Sequence, residues 1–157
     1  MKQSYGLFPP AFSLVLIISL PLLFSTLSLQ AQDSECEITV REIVAENSGR
    51  GVDDRLDDVR RDLEKLSYST FRLEETHNRK IVLAESGEFR LLGDNKLVLT
   101  PEAFEGGKIR LRVKLTPKSG KEKAFESTMR IANGGTFIIA GPAHGEGVLF
   151  LAFTAKK

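Results

Sequence analysis

The stretch from Lys108 to Leu115 constrains the fold most, because basic and apolar residues alternate at all eight of its positions. Successive side chains of a β-strand point to opposite faces of the sheet, so this pattern predicts a half-buried strand. Its apolar side chains face a core. Its basic side chains face water or a partner, and we call them the basic stripe: Lys108, Arg110, Arg112 and Lys114. No aromatic residue interleaves with the basic stripe, so nucleic acid is not favoured as the partner.

Residues 1–31 have the composition of a secretory signal peptide. They hold one charged residue, Lys2, and an apolar run from Ala11 to Leu29. Ala31 supplies a small residue at the cleavage site, so residues 32–157 are predicted to form a single exported domain. An uncleaved anchor is the alternative, since the run approaches the ~20 apolar residues that span a bilayer. The chain is therefore expected in the periplasm or cell envelope, touching a membrane only through a retained signal segment.

Charge and cysteine content narrow the classes of partner further. The 22 lysine and arginine residues include Lys2, so residues 32–157 hold 21 of them against 21 acidic residues. This balance creates no overall field that would attract nucleic acid or an anionic membrane. Cys36 is the only cysteine, which excludes an intramolecular disulfide. We expect its thiol to pack as a small apolar group, with an intermolecular bridge as the alternative.

Short apolar stretches separated by turn residues predict a sheet-dominated fold. Residues 36–46 alternate with one shift of phase, which indicates a strand with a bulge. After Ser67 further short strands follow, interrupted among others by a turn at residues 75–79 and a loop at residues 101–107. This pattern is typical of a meander or sandwich and not of alternating βαβ units. The last two, Thr136–Ala140 and Val148–Phe153, are apolar in both phases, so both are expected to be covered on two faces.

One helix is predicted over about residues 52–66. Apolar residues recur there at intervals of four, three, four and three, which places them on one stripe of a helix: Val52, Leu56, Val59, Leu63 and Leu66. Two heptads are too short for a coiled coil, so we expect the helix to cover one face of a sheet. The fold class is then α+β and β-rich, an antiparallel meander or sandwich of about eight or nine short strands with one covering amphipathic helix.

The sequence predicts no catalytic residue, no cofactor and no metal site. His77 and His144 lie in polar stretches without the HxH, HExxH or Cys/His spacings of metal ligands, and no G-x-S-x-G elbow is present. The glycine-rich residues 141–147 lack the lysine and the helix of a phosphate-binding P-loop. Because loops hold many binding residues, this stretch is the candidate ligand loop, with Gly141, His144, Gly145, Glu146 and Gly147 as its members.

Residues 127–155 resemble a β-hairpin of the secretins, which are outer-membrane secretion channels. The likeness rests on Ser127-Thr-Met-Arg-Ile-Ala-Asn-Gly-Gly-Thr-Phe-Ile-Ile-Ala-Gly141, followed by a glycine-containing turn and an apolar strand. In secretins an Asn-Gly-x-Thr stretch likewise precedes apolar residues and glycine. The resemblance implies a related hairpin or a place in envelope machinery. It assigns no functional residue to this chain.

These observations favour an exported, non-catalytic binding or assembly module, monomeric or weakly associating, whose partner is another envelope protein. The alternative is a small envelope ligand carrier or hydrolase that uses the 141–147 loop with His144. A third possibility is electrostatic docking through the basic stripe, which salt would weaken.

Overall fold

A computed structural model describes residues 34–118 and 123–157. The predicted signal peptide, residues 1–31, lies outside the described residues. The described part is β-rich, as predicted, and its nine strands are β1 Glu35–Glu46, β2 Gly51–Val52, β3 Thr70–Val82, β4 Gly87–Leu91, β5 Asn95–Glu105, β6 Lys108–Thr116, β7 Phe125–Ala132, β8 Thr136–His144 and β9 Gly147–Lys156. None of the helices within the described ranges is long and apolar enough to cross a membrane.

The strands form two sheets. The first sheet has the order β2-β3-β1-β9-β8, and the second has the order β4-β5-β6-β7. Neighbouring strands are antiparallel except for β2, which pairs with β3 in parallel over two residues. The register of β1 against β3 shifts between Glu42 and Ile43, which confirms the predicted bulge in β1.

One buried apolar cluster contains side chains from both sheets. It takes one face of β6, namely Ile109, Leu111, Val113 and Leu115, all of which are buried as the alternation predicts. From the first sheet it takes alternate residues of β1 and β9, including Ile38 and Phe153. Cys36 is fully buried in this cluster, and burial raises the pKa of its thiol. The cysteine therefore packs as the small apolar group that we expected.

The helix predicted over residues 52–66 is wrong as a continuous element. Val52 belongs to β2, a 3₁₀ turn spans Asp54–Leu56, and α1 is only the single turn Arg60–Leu63. Asp53 is the N-cap of the 3₁₀ turn, where its carboxylate accepts a hydrogen bond from the backbone N–H of Arg55, and it accepts a second one from the backbone N–H of Leu73 on β3. A helix so short gains little from its own hydrogen bonds, so packing decides its course.

The apolar residues of this segment nevertheless pack as a set. A second cluster, on the other face of the first sheet, joins Leu56, Val59 and Leu63 to Phe71 and Phe150, with Val52 and Leu66 partly buried against it. The spacing of four and three therefore identified the residues that face the sheet, although two short turns present them.

An ion pair ties this segment to the first sheet. The guanidinium of Arg41 on β1 donates two hydrogen bonds of 2.7 Å to the carboxylate of Asp58. The Arg41 side chain is 11% exposed, so Asp58 supplies the charge partner that a largely buried arginine needs.

Replacing Asp58 by asparagine should make stability less dependent on pH. The bonds from Arg41 hold the pKa of the Asp58 carboxyl below its usual range. The folded pKa then lies below the unfolded value of about 3.9, so the carboxylate stabilises the fold above that pH and ceases to do so as the pH falls through the folded pKa. Because the Asp58 side chain is 58% exposed, we expect Asp58→Asn to lower the free energy of unfolding by only about 1 kcal/mol at neutral pH. Urea unfolding should show this gap shrinking below about pH 4.

The matched control is Asp62→Asn in the same segment. The exposed Asp62 carboxylate pairs with the exposed Lys65 at 2.7 Å, so its replacement should leave both stability and its pH dependence unchanged. A gap for Asp58→Asn that stays constant from neutral to acid pH would contradict the role of this ion pair.

Two strands are longer than the sequence suggests. β3 runs through residues 75–79, where a turn was expected, because β1 pairs with it along its whole length. β5 continues through Pro101 to Glu105, where a loop was expected. Pro101 lies beyond the end of β4, at a position where the sheet needs no N–H donor. A turn at Gly106 and Gly107, both with positive φ, then joins β5 to β6.

Of the two C-terminal strands predicted to be covered on both faces, one is covered and one is not. β9 lies between β1 and β8 and is buried on both faces, as its continuous apolar run predicts. The expectation that β8 is covered in the same way is wrong, because β8 is the last strand of the first sheet and most of its residues are partly or fully exposed.

Candidate binding surfaces

An apolar groove runs along the outer edge of the first sheet. β8 forms one wall, and the segment containing α1 forms the other. The groove has a volume of about 430 Å³ and is lined by Asp62, Leu66, Thr136, Phe137, Ile138, Ala140 and Phe150. Most of its lining is apolar, and one long side of β8 meets no further strand within the described ranges. The groove therefore offers an apolar surface beside backbone groups that another strand could pair with. We call it the edge groove.

Each sheet also exposes one phenylalanine on an edge strand. Phe137 on β8 is 43% exposed and Phe125 on β7 is 41% exposed. Phe137 lies directly opposite Phe153 of β9, whose side chain is fully buried. Proteins protect edge strands with charged residues, proline or bulges. β8 has Pro142 and a register shift after Ala140, but its stretch from Thr136 to Ala140 contains no charged residue. The same uncharged run predicts burial from sequence, whereas in the structure it forms an exposed edge.

A buried carboxylate, Glu42, connects the two sheets. It is fully buried on β1, and its Oε1 lies 2.7 Å from Nε2 of His77 on β3. Its Oε2 accepts a 2.8 Å hydrogen bond from the backbone N–H of Leu92, just after β4. Glu75 lies further off, with its Oε1 3.8 Å from His77 Nδ1. Sequence reasoning missed this cluster because Glu42 and His77 are 35 positions apart and only the pairing of β1 with β3 brings them together.

These three side chains are the described residues with ligand atoms close enough to hold a metal ion. One atom from each of Glu42, Glu75 and His77 lies within 4.8 Å of the others. Both oxygens of Glu42 are already engaged, one by His77 and one by Leu92. We therefore interpret the cluster as a hydrogen-bonded link between β1, β3 and the end of β4.

Among the described residues, His77 forms a hydrogen bond with the carboxylate of Glu42 and with no hydroxyl or thiol. It is therefore not paired with a nucleophile there. Cys36 pairs with Ile81, four residues along β3 from His77, which corresponds to roughly 13 Å. Its buried thiol with a raised pKa is also the less reactive form of cysteine.

The basic stripe is partly neutralised within the fold. Arg110 approaches Glu105, with its Nη2 3.3 Å from Oε1, and Arg112 pairs with Glu102 of the neighbouring strand. Lys114 lies directly opposite Glu126 of β7. Acidic residues of both neighbouring strands thus lie close to three of the four basic residues of the stripe, and Lys108 is the fourth.

The prediction that residues 141–147 form a loop is wrong. β8 continues to His144 and β9 begins at Gly147, so only Gly145 and Glu146 form the turn. A Cβ at Gly147 would lie 2.2 Å from the carbonyl oxygen of Ala45, and one at Gly141 would lie 2.7 Å from that of Leu149. These glycines permit close backbone packing. The edge groove takes neither His144 nor Glu146 as lining.

The chain matches no protein-family model, no curated protein and no solved structure. The likeness of residues 127–155 to a secretin hairpin therefore stays a prediction.

Proposed function

We propose that this chain is an exported, non-catalytic assembly module of the cell envelope, and that it receives an extended apolar segment of another envelope protein at the edge groove. The observation that carries the proposal is the uncharged edge strand β8 with the exposed Phe137 beside an apolar groove of about 430 Å³. The signal-like composition of residues 1–31 supports the envelope location.

Strand addition explains why these features occur together. An extended peptide added to a sheet edge gains main-chain hydrogen bonds from the edge strand, while alternate side chains enter neighbouring pockets. β8 supplies the free edge, and Leu66, Ile138 and Phe150 supply the apolar surface for the alternate side chains. A peptide of roughly five residues would match a typical strand length.

In this proposal the two sheets form a sandwich that is open along β7 and β8. The apolar cluster shared by both sheets supports this description. The buried clusters on both faces of the first sheet would keep β8 fixed when the partner segment binds. Such a rigid edge loses little conformational entropy on binding, which favours its use as a docking strand.

The variant that tests the proposal is Phe137→Glu. Phe137 points to the face of β8 opposite to Ile138, but a strand added to the edge of β8 would run beside both faces. A carboxylate at position 137 would be desolvated by the apolar segment, and we expect recovery of the partner to fall at least about tenfold. The measurement is quantitative co-purification from chemically crosslinked envelopes. The yield of each crosslinked protein is compared between the wild-type chain and the variant.

Phe125→Glu is the matched control. Phe125 has nearly the same exposure and also lies on an edge strand, but in the second sheet. This variant should retain the partner, and urea unfolding should show both variants folded. Equal recovery of the partner with Phe137→Glu and wild type would refute docking at the edge groove.

A further inference from the structure

Two arginines face each other on the outer face of the second sheet. Arg110 of β6 lies directly opposite Arg130 of β7. Side chains in such positions have Cβ atoms about 4.5–5.5 Å apart, and like charges there destabilise the sheet. Lys108 lies two residues before Arg110 and therefore on the same face. Three cations thus converge at one corner of this face.

A shallow cleft lies at this corner. It has a volume of about 280 Å³ and is lined by Glu105, Gly106, Lys108, Arg110 and Arg130. Three positive side chains face one carboxylate there. Gly106 is in the turn between β5 and β6 with a φ of 57°, and a Cβ added to it would meet no atom within 4 Å. One part of the cleft rim is therefore open.

The cations of the cleft are incompletely partnered. Arg110 Nε is buried without a hydrogen-bond partner, and the Oε2 atom of Glu102 lies 3.8 Å from it, beyond hydrogen-bond distance. Arg110 Nη2 reaches Glu105 at 3.3 Å. Lys108 and Arg130 form no ion pair with any residue of the described ranges, and both are exposed. The repulsion between Arg110 and Arg130 is therefore answered only in part.

We propose that this cleft binds a dianionic phosphate group, as inorganic phosphate or as a phosphate monoester. Guanidinium groups match phosphate oxygens with two parallel N–H donors, and lysine adds a point charge. Three cations against Glu105 give the lining a net charge of two, which a phosphate monoester neutralises with its charge of about −1.5 to −2. A carboxylate or a phosphodiester, with one negative charge, would leave one cation unanswered.

The proposal stands independently of the edge groove, because the cleft lies on the outer face of the other sheet. A phosphate monoester can be soluble or can belong to a lipid headgroup, and the cleft chemistry is the same for both. The experiment therefore has two arms, inorganic phosphate in solution and phosphatidylcholine vesicles that contain phosphatidic acid.

In the first arm, the purified chain is titrated with inorganic phosphate at constant ionic strength and followed by amide chemical shifts. We expect saturable shifts at Lys108, Arg110 and Arg130, and an affinity about fivefold weaker in Arg130→Gln. Arg90→Gln is the matched control, because Arg90 is an exposed arginine of β4 outside the cleft and should bind phosphate like wild type. Without phosphate, Arg130→Gln should unfold at the same urea concentration as wild type or higher, because it removes the repulsion with Arg110.

In the second arm, sedimentation with phosphatidic acid vesicles that depends on Arg130 assigns the site to a lipid-borne phosphate. Binding of inorganic phosphate without such sedimentation assigns it to a soluble one. The proposal is overturned when phosphate shifts the same amides as sodium chloride of equal ionic strength does, or when Arg90→Gln weakens phosphate binding as much as Arg130→Gln.

Discussion

Replacing Phe153 by alanine is expected to lower the free energy of unfolding by about 3–5 kcal/mol. Phe153 is a fully buried residue of β9 in the cluster shared by both sheets. Its removal loses the transfer free energy of the ring and leaves a cavity in this cluster. β9 is paired with β1 on one side and β8 on the other, which limits how far the strand can shift to fill the cavity. Equilibrium unfolding in urea measures this loss.

The matched control for this substitution is Phe137→Ala. Phe137 is the direct neighbour of Phe153 across the pair β8–β9, yet 43% of it is exposed. We expect a loss of about 1 kcal/mol or less, because the ring buries much less apolar area. Equal losses at the two positions would show that Phe137 is a core residue, and would remove the reason to assign its surface to a partner.

Replacing Glu42 by alanine should cost about 1–3 kcal/mol in the free energy of unfolding. The substitution leaves the N–H of the half-buried Leu92 without its acceptor and takes the hydrogen-bond partner from His77. It should also loosen the end of β4 from the first sheet. Amide hydrogen exchange would detect this as faster exchange at Leu92 than in the wild-type chain.

Two further variants separate the hydrogen bond that Glu42 accepts from the charge that it carries. Glu42→Gln keeps an oxygen for the Leu92 N–H and should lose less stability than Glu42→Ala. Glu75→Ala removes the more distant and half-exposed carboxylate near His77 and should change stability by less than about 1 kcal/mol. A loss in Glu75→Ala as large as that in Glu42→Ala would mean that charge near His77, and not the bond to Leu92, stabilises this link.

The sequence predicts this fold best where one face of a strand is buried. In β6 the alternation from Lys108 to Leu115 identifies both faces correctly, because the period of a strand is two. The intervals between Leu56, Val59 and Leu63 likewise identify side chains that face the first sheet. Helical spacing alone does not require a helix, however, since two short turns place the same residues equally well.

Long-range pairing explains most of what the sequence does not predict. Glu42 meets His77 only because β1 pairs with β3 along its length, and β3 is continuous for the same reason. An apolar run such as Phe137–Ala140 predicts a covered strand, but its cover depends on strand order, which local pattern does not determine. Residues 137–140, which lie at the edge groove, therefore have a sequence pattern that predicts a buried strand.

The most direct test of the central claim is photocrosslinking from the edge groove in intact envelopes. A photoreactive amino acid at Ala140, an exposed residue of the groove lining, is compared with one at Thr128, an exposed residue of β7 in the second sheet. Docking at β8 predicts one discrete protein adduct from position 140 that disappears when Phe137→Glu is added, and no such adduct from position 128. No adduct from position 140, or the same adduct from both positions, would contradict it.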